Sequence, residues 1–506
     1  MLECVTGSWS APPVLRGFKG AIKALNGTHS YVEARIPLDC YATSKHTSNT
    51  MRKYVFTITG FCVGWNSIVL SAPIDSGDNV FISTSVTTSS EKFSVTASPT
   101  STAKPEFETD IPATSFLNSQ PYVQGTDANP EPMNDGLGAS SIAPDDTAID
   151  QQNPDLFAPP TTDNNIIQNA KWPISLGHTR LQSGGWSRQQ NTDDFPIGTS
   201  LASVQMRLEA GAIRELHWHS SAEWGFVLDG NVKLTAMDNE GRVFVDTVGP
   251  EDLWYFPAGV PHSIQVTDQN PEGSEFLLVF DDGSFSDDGT FLLTDWMAHV
   301  PMEVLTKNFQ LDESALSKIP SKQLYIFPGE PPSPDEPAPT SPSGEVPNPY
   351  SFHLSSMKET KLSGGSIKSF DSTNFKVSTT IVGSLVTVEP GGMRELHWHP
   401  TQPEWDYILQ GQARMTIFAA QETANTFDYQ AGDIGYVPPS FGHYIENTGN
   451  STLRYLEIFN SDLVQDFSLQ QWLALTPPDL VAAHLGFSKE TIAHLSKTKM
   501  TVIGKS

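Results

Sequence analysis

The sequence predicts an all-β chain built as two tandem antiparallel sandwiches or barrels, each followed by a short helical tail. Three observations carry that prediction. Short segments alternate apolar and polar residues: in ASVQMRL, Val204, Met206 and Leu208 alternate with Ser203, Gln205 and Arg207, the period of a strand with two distinct faces. Turn signals such as LDGN, DNEG, LQGQ and QAGD punctuate these segments at roughly ten-residue intervals, as expected for sheets of short strands. Finally, the pattern occurs twice. Gly185 and Gly365, and Arg214 and Arg394, lie 180 residues apart, whereas Glu223 and Glu404, Gly230 and Gly411, Pro257 and Pro438, and His262 and His443 lie 181 apart. A single inserted residue, in PTQPE relative to SSAE, accounts for the change, so a whole domain is duplicated.

Taken in order, residues 1–50 carry no recognisable pattern and read as an N-terminal extension arising from the gene model. Residues 51–72 have a basic start (Arg52, Lys53), an apolar stretch to Leu70 and the small residues Ser71 and Ala72. That is the layout of a secretory signal, and it predicts a secreted protein starting near Pro73. Residues 73–165 form a low-complexity segment, rich in Pro, Ser, Thr, Asp and Asn from about Ser94, that is expected to be largely disordered. The first globular block is 166–328, ending in the helical tail TDWMAHVPMEVLTKNF. Residues 329–349 are a Pro-dense, extended linker. The second block is 350–506, with the tail LVAAHLGFSKETIAHLSK and Ser488 as a helix N-cap.

Composition excludes several classes of partner. The net charge of −28 argues against nucleic acid and anionic membranes, both of which require clustered cations. The three cysteines, Cys4, Cys40 and Cys62, all precede the globular blocks, so neither block has a thiolate for metal binding or nucleophilic attack.

The chemistry lies in the repeated RELHWH. On a strand, side chains at i and i+2 leave from one face, so His217 and His219 aim together into a barrel with Trp218 turned away. Glu223 and His262 complete the set, and the second block offers His397, His399, Glu404 and His443. Three imidazoles and one carboxylate leave two coordination positions open, a set suited to Mn or non-haem Fe rather than structural zinc. Arg214 and Arg394 stand three residues before the first histidine, where alternation points them outward; a bulge is required to bring them in.

These residues resemble the cupin superfamily, whose first motif, G-x5-H-x-H-x3-4-E-x6-G, is matched by Gly211, His217, His219, Glu223 and Gly230 and again by Gly391, His397, His399, Glu404 and Gly411. Its second motif, G-x5-P-x-G-x2-H-x3-N, is looser. Glu251 and Val266 replace its first Gly and its Asn in the first block, and Ser440 replaces its middle Gly in the second. More narrowly, NAKWPIS, VGPEDLWYFPAGVPHS, FDDGSFS, QAGDIGYVP and GHYIEN are similar to the bicupin oxalate decarboxylases over about Asn165 to Lys499. The resemblance implies two double-stranded β-helix (jelly-roll) barrels, two Mn2+ per chain, and cleavage of oxalate to formate and carbon dioxide with dioxygen required but not consumed. It also implies a homo-oligomer, a hexamer built through the helical tails.

The copies differ where the chemistry would be decided. Phe280 and Trp296 are 16 positions apart, but Phe459 and Trp472 only 13, so the first block has three extra residues around SFSDDGT. In the resembled family this is a mobile lid carrying a glutamate that protonates the decarboxylated carbon. Here Asp287 holds that place, one methylene shorter by about 1.5 Å, followed by Asp288 and Gly289. A solvated acidic loop is the alternative reading. The second block has Glu457 where the first has Leu278, matching the family carboxylate beside the second metal. The expected catalytic residues are therefore Asp287, Arg214, Glu457 and Arg394. The shortened acid makes an Mn-dependent oxalate oxidase, giving peroxide, the alternative activity. A secreted metal-binding bicupin without catalysis is the non-enzymatic alternative.

Overall fold

The computed structural model describes residues 131–506, apart from 135, 161, 334–336 and 506, together with the backbone of four short upstream strands (Ser30–Tyr31, Ala34–Pro37, Tyr54–Ile58 and Ser67–Pro73) that form a sheet of their own. Apart from these strands, the extension, the signal-like segment and the low-complexity stretch up to residue 130 lie outside the described residues. Among the described residues, no helix is long and apolar enough to cross a membrane.

Each globular block folds as a seven-stranded sheet facing a six-stranded one. In the first, strands Ala202–Leu208, Glu223–Asp229, Leu253–Phe256 and Ser274–Phe280 lie in the larger sheet, and Ile213–Trp218, Val232–Met237 and His262–Val266 in the smaller. Strand alternation sorts their side chains. Val204, Met206, Phe256, Phe276 and Leu278 fill the barrel, while Trp224, Phe226, Tyr255 and Leu277 leave by the other face into a core shared with the second domain. The two large sheets thus pack back to back: Trp224 stacks on Phe370, and the indole of Trp405 donates to Gln190 Oε1 at 3.1 Å. This also explains why the polar residues of ASVQMRL are not solvated. Ser203 and Gln205 are buried and bonded to Gln190 and Glu275.

The domain boundaries need correction. Lys171–Pro173, placed by sequence in the first block, pairs with Asp433–Val437 of the second. Conversely, Ser351–Phe352, placed in the second, pairs with Leu253 and Trp254 of the first. Each domain lends an edge strand to the other's large sheet. The end of the low-complexity segment is also ordered, contrary to expectation. Helices Thr147–Gln152 and Pro154–Phe157 form there, and the segment is fastened to the second domain by Asp155 to Arg414 and by Asp163 to Thr426. Few apolar residues were needed because charged and polar bonds do the anchoring. The linker is likewise not wholly free, since the Val346 amide bonds the Val243 carbonyl.

The helical tails form as expected but in pieces: Leu293–Ala298, Met302–Phe309 and Glu313–Leu316 after the first barrel, and Leu469–Leu475, Pro478–Leu485 and Lys489–Ala493 after the second. Ser488 caps the last, its hydroxyl accepting from the Thr491 amide.

Candidate active site

The duplicated motif brings its ligands together by strand register. His217 lies directly opposite His262, and His397 opposite His443. Glu223 and Glu404 start strands of the facing sheet, so each cluster is clamped between the two walls of its barrel. The four ligand atoms of each set lie within 4.8 Å of one another, and all eight residues are buried.

The donor chemistry fits a metal ion. In each cluster the imidazole Nδ1 atoms face carbonyls: His217 meets Glu215 O at 2.6 Å, His262 meets Val260 O at 2.8 Å, His397 meets Glu395 O at 2.7 Å and His443 meets Phe441 O at 3.0 Å. An Nδ1–H donated to a carbonyl leaves Nε2 as the free lone pair. Buried His397 Nε2 and Glu404 Oε1 have no hydrogen-bond partner, and His262 Nε2 and His399 Nε2 meet only the ligand carboxylates Glu223 and Glu404, outside hydrogen-bond geometry, a set that a divalent cation would satisfy. Burial, followed by the neighbouring Arg214 or Arg394, pushes His217 and His397 well below the usual imidazole pKa, so both are neutral ligands. Burial works against ionisation of Glu223, but His262 and His219 outweigh it and hold the carboxyl below its ordinary range. His443 and His399 do the same for Glu404.

The bulge required to turn the arginines inward is present in both domains. The pairing register slips by one between Arg214 and His217, and identically between Arg394 and His397. The extra residue re-aims the strand, leaving Arg214 and Arg394 buried. Between them and the histidines, Glu215 and Glu395 are also buried. Glu215 accepts from the amides of Thr294, Leu324 and Tyr325, and Glu395 from Thr501 and the Ser468 hydroxyl. These two carboxylates fix the strands that return past the site. Sequence reasoning missed them, although their place in the repeated hexapeptide was a usable signal.

Asp287 is not a solvated loop residue. It is 7% exposed, and its Oδ1 lies 3.1 Å from Arg214 Nη2. Its other oxygen accepts from the Tyr325 phenol. Asp288 beside it is exposed and pairs with Arg180 at 3.3 Å. The same loop lays Phe285 on Phe280 and edge-on against His219, 5.7 Å between centroids. The lid is therefore shut over the first cluster, and Arg214 Nε remains buried without a partner.

The second site is wired differently. Arg394 Nε donates to Glu457 at 2.9 Å and Nη2 to Asp466 at 2.7 Å, while Lys499 pins Asp466 from the far side. Asp466 precedes Phe467, which pairs with Trp398 just as Phe291 pairs with Trp218; Asp466 thus stands where the first domain has Thr290. Burial opposes its ionisation, but Arg394, His397 and Lys499 together outweigh burial and hold it well below the usual carboxylate range. Burial raises Glu457, countered in part by Arg394. A further buried acid, Asp406, is raised by burial and by Glu404. Neither Asp466 nor Asp406 was foreseen.

A barrel of this topology with three histidines and a glutamate at its centre, present twice, defines a two-domain cupin. Comparison with known proteins agrees. The family model described as Cupin matches residues 177–316 and 353–493. Oxalate decarboxylase OxdC of Bacillus subtilis is 50% identical over 377 residues, covering 74% of this chain and 97% of that one. A probable oxalate decarboxylase of Arthroderma benhamiae is 40% identical, covering 73% and 91%. A solved structure of the Bacillus subtilis enzyme at pH 4.6 superimposes with a TM-score of 0.73 at 49% identity, covering 75% of this chain and 99% of that one. Another, concerned with its Mn(II) centres, gives the same score and identity over 74% and 100%. The chain belongs to the bicupin oxalate decarboxylase family.

Proposed function

We propose that this protein is a Mn-dependent oxalate decarboxylase, converting oxalate to formate and carbon dioxide, with dioxygen required but not consumed. The observation that carries this reading is the closed arrangement at the first site: a buried guanidinium with a spare N–H, beside a three-histidine, one-glutamate cluster, salt-bridged to a carboxylate on a lid. When bound at His217, His219, Glu223 and His262, and at His397, His399, Glu404 and His443, Mn(II) supplies open positions for an oxygen ligand and, with dioxygen, a reversible sink for one electron.

The remaining steps fall to the protein. Arg214 holds one carboxylate of hydrogen oxalate through charge-assisted bonds. Asp287, salt-bridged to Arg214, takes the acidic proton. Once the carbon–carbon bond has broken and carbon dioxide has left, Asp287 returns that proton to carbon. Hydrogen oxalate thus yields one carbon dioxide and one formate, with no proton gained or lost. Phe285 and Phe280 over His219 keep water away. In the second domain Arg394 and Glu457 would serve as cation and acid, with Glu457 on a core strand rather than on a loop.

Product analysis on oxalate is the test. Formate as the main product, with about two Mn per chain, supports the reading; mainly hydrogen peroxide would make the protein an oxalate oxidase. Metal uptake without turnover would make it a binding bicupin. We further infer secretion through residues 51–72, which N-terminal sequencing of protein from the culture medium tests. Self-assembly is inferred from the helical tails, which expose Trp296, Phe309, Trp472 and Leu480.

A further inference from the structure

The lid acid of this chain is an aspartate, and something must make up for its short reach. Tyr325, just before the strand Ile326–Phe327 that pairs with Ile213 and Arg214, is placed to do so. Its φ of +62° lies in the left-handed region that non-glycine residues rarely adopt, and its backbone is fixed there by Glu215, whose amide donates to the Tyr325 carbonyl at 3.0 Å. The ring is held on both faces by guanidinium groups, Arg180 at 3.7 Å and Arg214 at 4.2 Å from its centroid. The phenol donates to Asp287 Oδ2, and the Ser187 hydroxyl sits 2.6 Å from the phenol oxygen. Arg214 binds the other carboxylate oxygen, and the Gln189 side chain accepts from the Asp287 amide at 3.1 Å.

The second domain has no such group at the matching place. Thr501 has a similar φ of +58°, accepts from the Glu395 amide and leads into the strand Val502–Ile503, which pairs with Met393 and Arg394. The second domain's phenol comes from elsewhere, Tyr455 donating to Glu457 at 3.1 Å from the same strand, so only in the first domain does a phenol reach an acid carried on the lid.

We propose that Tyr325 is the positioning residue that clamps the short lid carboxylate of Asp287 in the closed site, so that proton return to carbon outruns capture of the decarboxylated fragment by dioxygen. The proposal rests on the reading of Asp287 as the proton donor. Tyr325 itself transfers nothing; it holds one oxygen of Asp287 while Arg214 holds the other, leaving the carboxylate a single orientation.

The test uses the full-length, Mn-loaded protein. Tyr325→Phe should retain about two Mn per chain but speed amide exchange across residues 285–290 by about tenfold, the usual scale for leaving a buried acceptor unmatched. On oxalate, its ratio of peroxide to formate should rise by a similar factor. Ser187→Ala, a milder change should the phenylalanine variant fold poorly, should move both readouts the same way by about two- to threefold. Wild-type lid exchange and wild-type product ratio in these variants would overturn the proposal. So would an equal further effect of Tyr325→Phe on the product ratio in an Asp287→Ala background, because a residue that acts only through Asp287 has no effect in its absence. Loss of the donor reading is separable: it would show as intact formate output from Asp287→Ala, whereas lid exchange in Tyr325→Phe is read without turnover.

Discussion

The two metal clusters share ligands, strand register and even the one-residue slip that turns an arginine inward, yet their surroundings are opposites. In the first domain, Arg214 meets one carboxylate, carried on a loop. In the second, Arg394 is held by two, Glu457 rising from a core strand and Asp466 tied down by Lys499, with its Nη1 left buried and unpartnered. Behind the ligand glutamates the same inversion recurs. Gly225 leaves room for the Trp254 indole to donate to Glu223 at 2.9 Å, and a Cβ there would lie 2.1 Å from the indole. In the second barrel the bulk sits on the other strand, as Asp406 faces Gly435 across the register. One cluster is backed by a neutral donor and covered by an acid on a loop; the other is ringed by acids on strands and beside Lys499. Duplication gave both barrels the same ligand set, and divergence outside the ligands gave the two sites different surroundings.

The largest expected effect would break this comparison most directly. Asp287→Ala should lower formate release by about 10²–10⁴-fold, the scale of losing a general acid, with metal content unchanged and the peroxide fraction raised. Glu457→Ala should do far less. The reverse ranking, read from formate assays on the two variants, would move the chemistry to the second domain.

Next in size, Arg394→Ala should destabilise the fold by roughly 3–5 kcal/mol, because it leaves buried Glu457 without a cation and Asp466 with Lys499 alone. Arg214→Ala should cost less, since the lid can carry Asp287 towards water. Denaturant unfolding of both variants decides it; equal losses would mean that the two arginines are held alike.

The smallest effect concerns pH. Asp155, on the segment that docks only on the second domain, is pushed up to about 8 by burial and by the adjoining Asp428, with Arg414 pulling the other way. Asp163 and Tyr444 are the other titratable groups in this cluster. An acid whose folded pKa exceeds its unfolded value binds more protons when docked, so docking is strongest below about pH 4 and weakens as pH rises towards 8. Amide exchange over residues 147–157, corrected for its intrinsic pH dependence, should be slower at pH 5 than at pH 8. No difference would place the proton elsewhere.

How much of this was legible in the sequence depended on how local each feature was. The eight ligands could be read because their spacing recurs in register, and the β class because strand alternation is a property of neighbouring residues. The inward arginines could not be derived from alternation, which a single bulge inverts. Glu251 and Ser440, the two departures from motif glycines, adopt φ of +67° and +68°: the turns kept their left-handed geometry although the residues that ease it were lost. Glu251 also gains a partner, Arg454 of the other domain, at 2.7 Å. Tyr325 and Asp466 reach their sites on segments distant from the motif, and no periodicity announces such contacts. The ordered tail of the low-complexity segment was missed because its anchors are polar bonds to residues some 260 positions away.

The traded edge strands make the two barrels interdependent during synthesis. The first barrel's large sheet lacks its outer strand until Ser351 and Phe352 have left the ribosome, while the strand it carries from the start, Lys171–Pro173, waits for a partner sheet that ends near Phe459. An open sheet edge is a site for mispairing with other chains. Cutting the chain within the Pro-rich connection would therefore not release two working halves. Each fragment would carry a strand belonging to the other, so the halves should be aggregation-prone alone and should regain solubility when produced together.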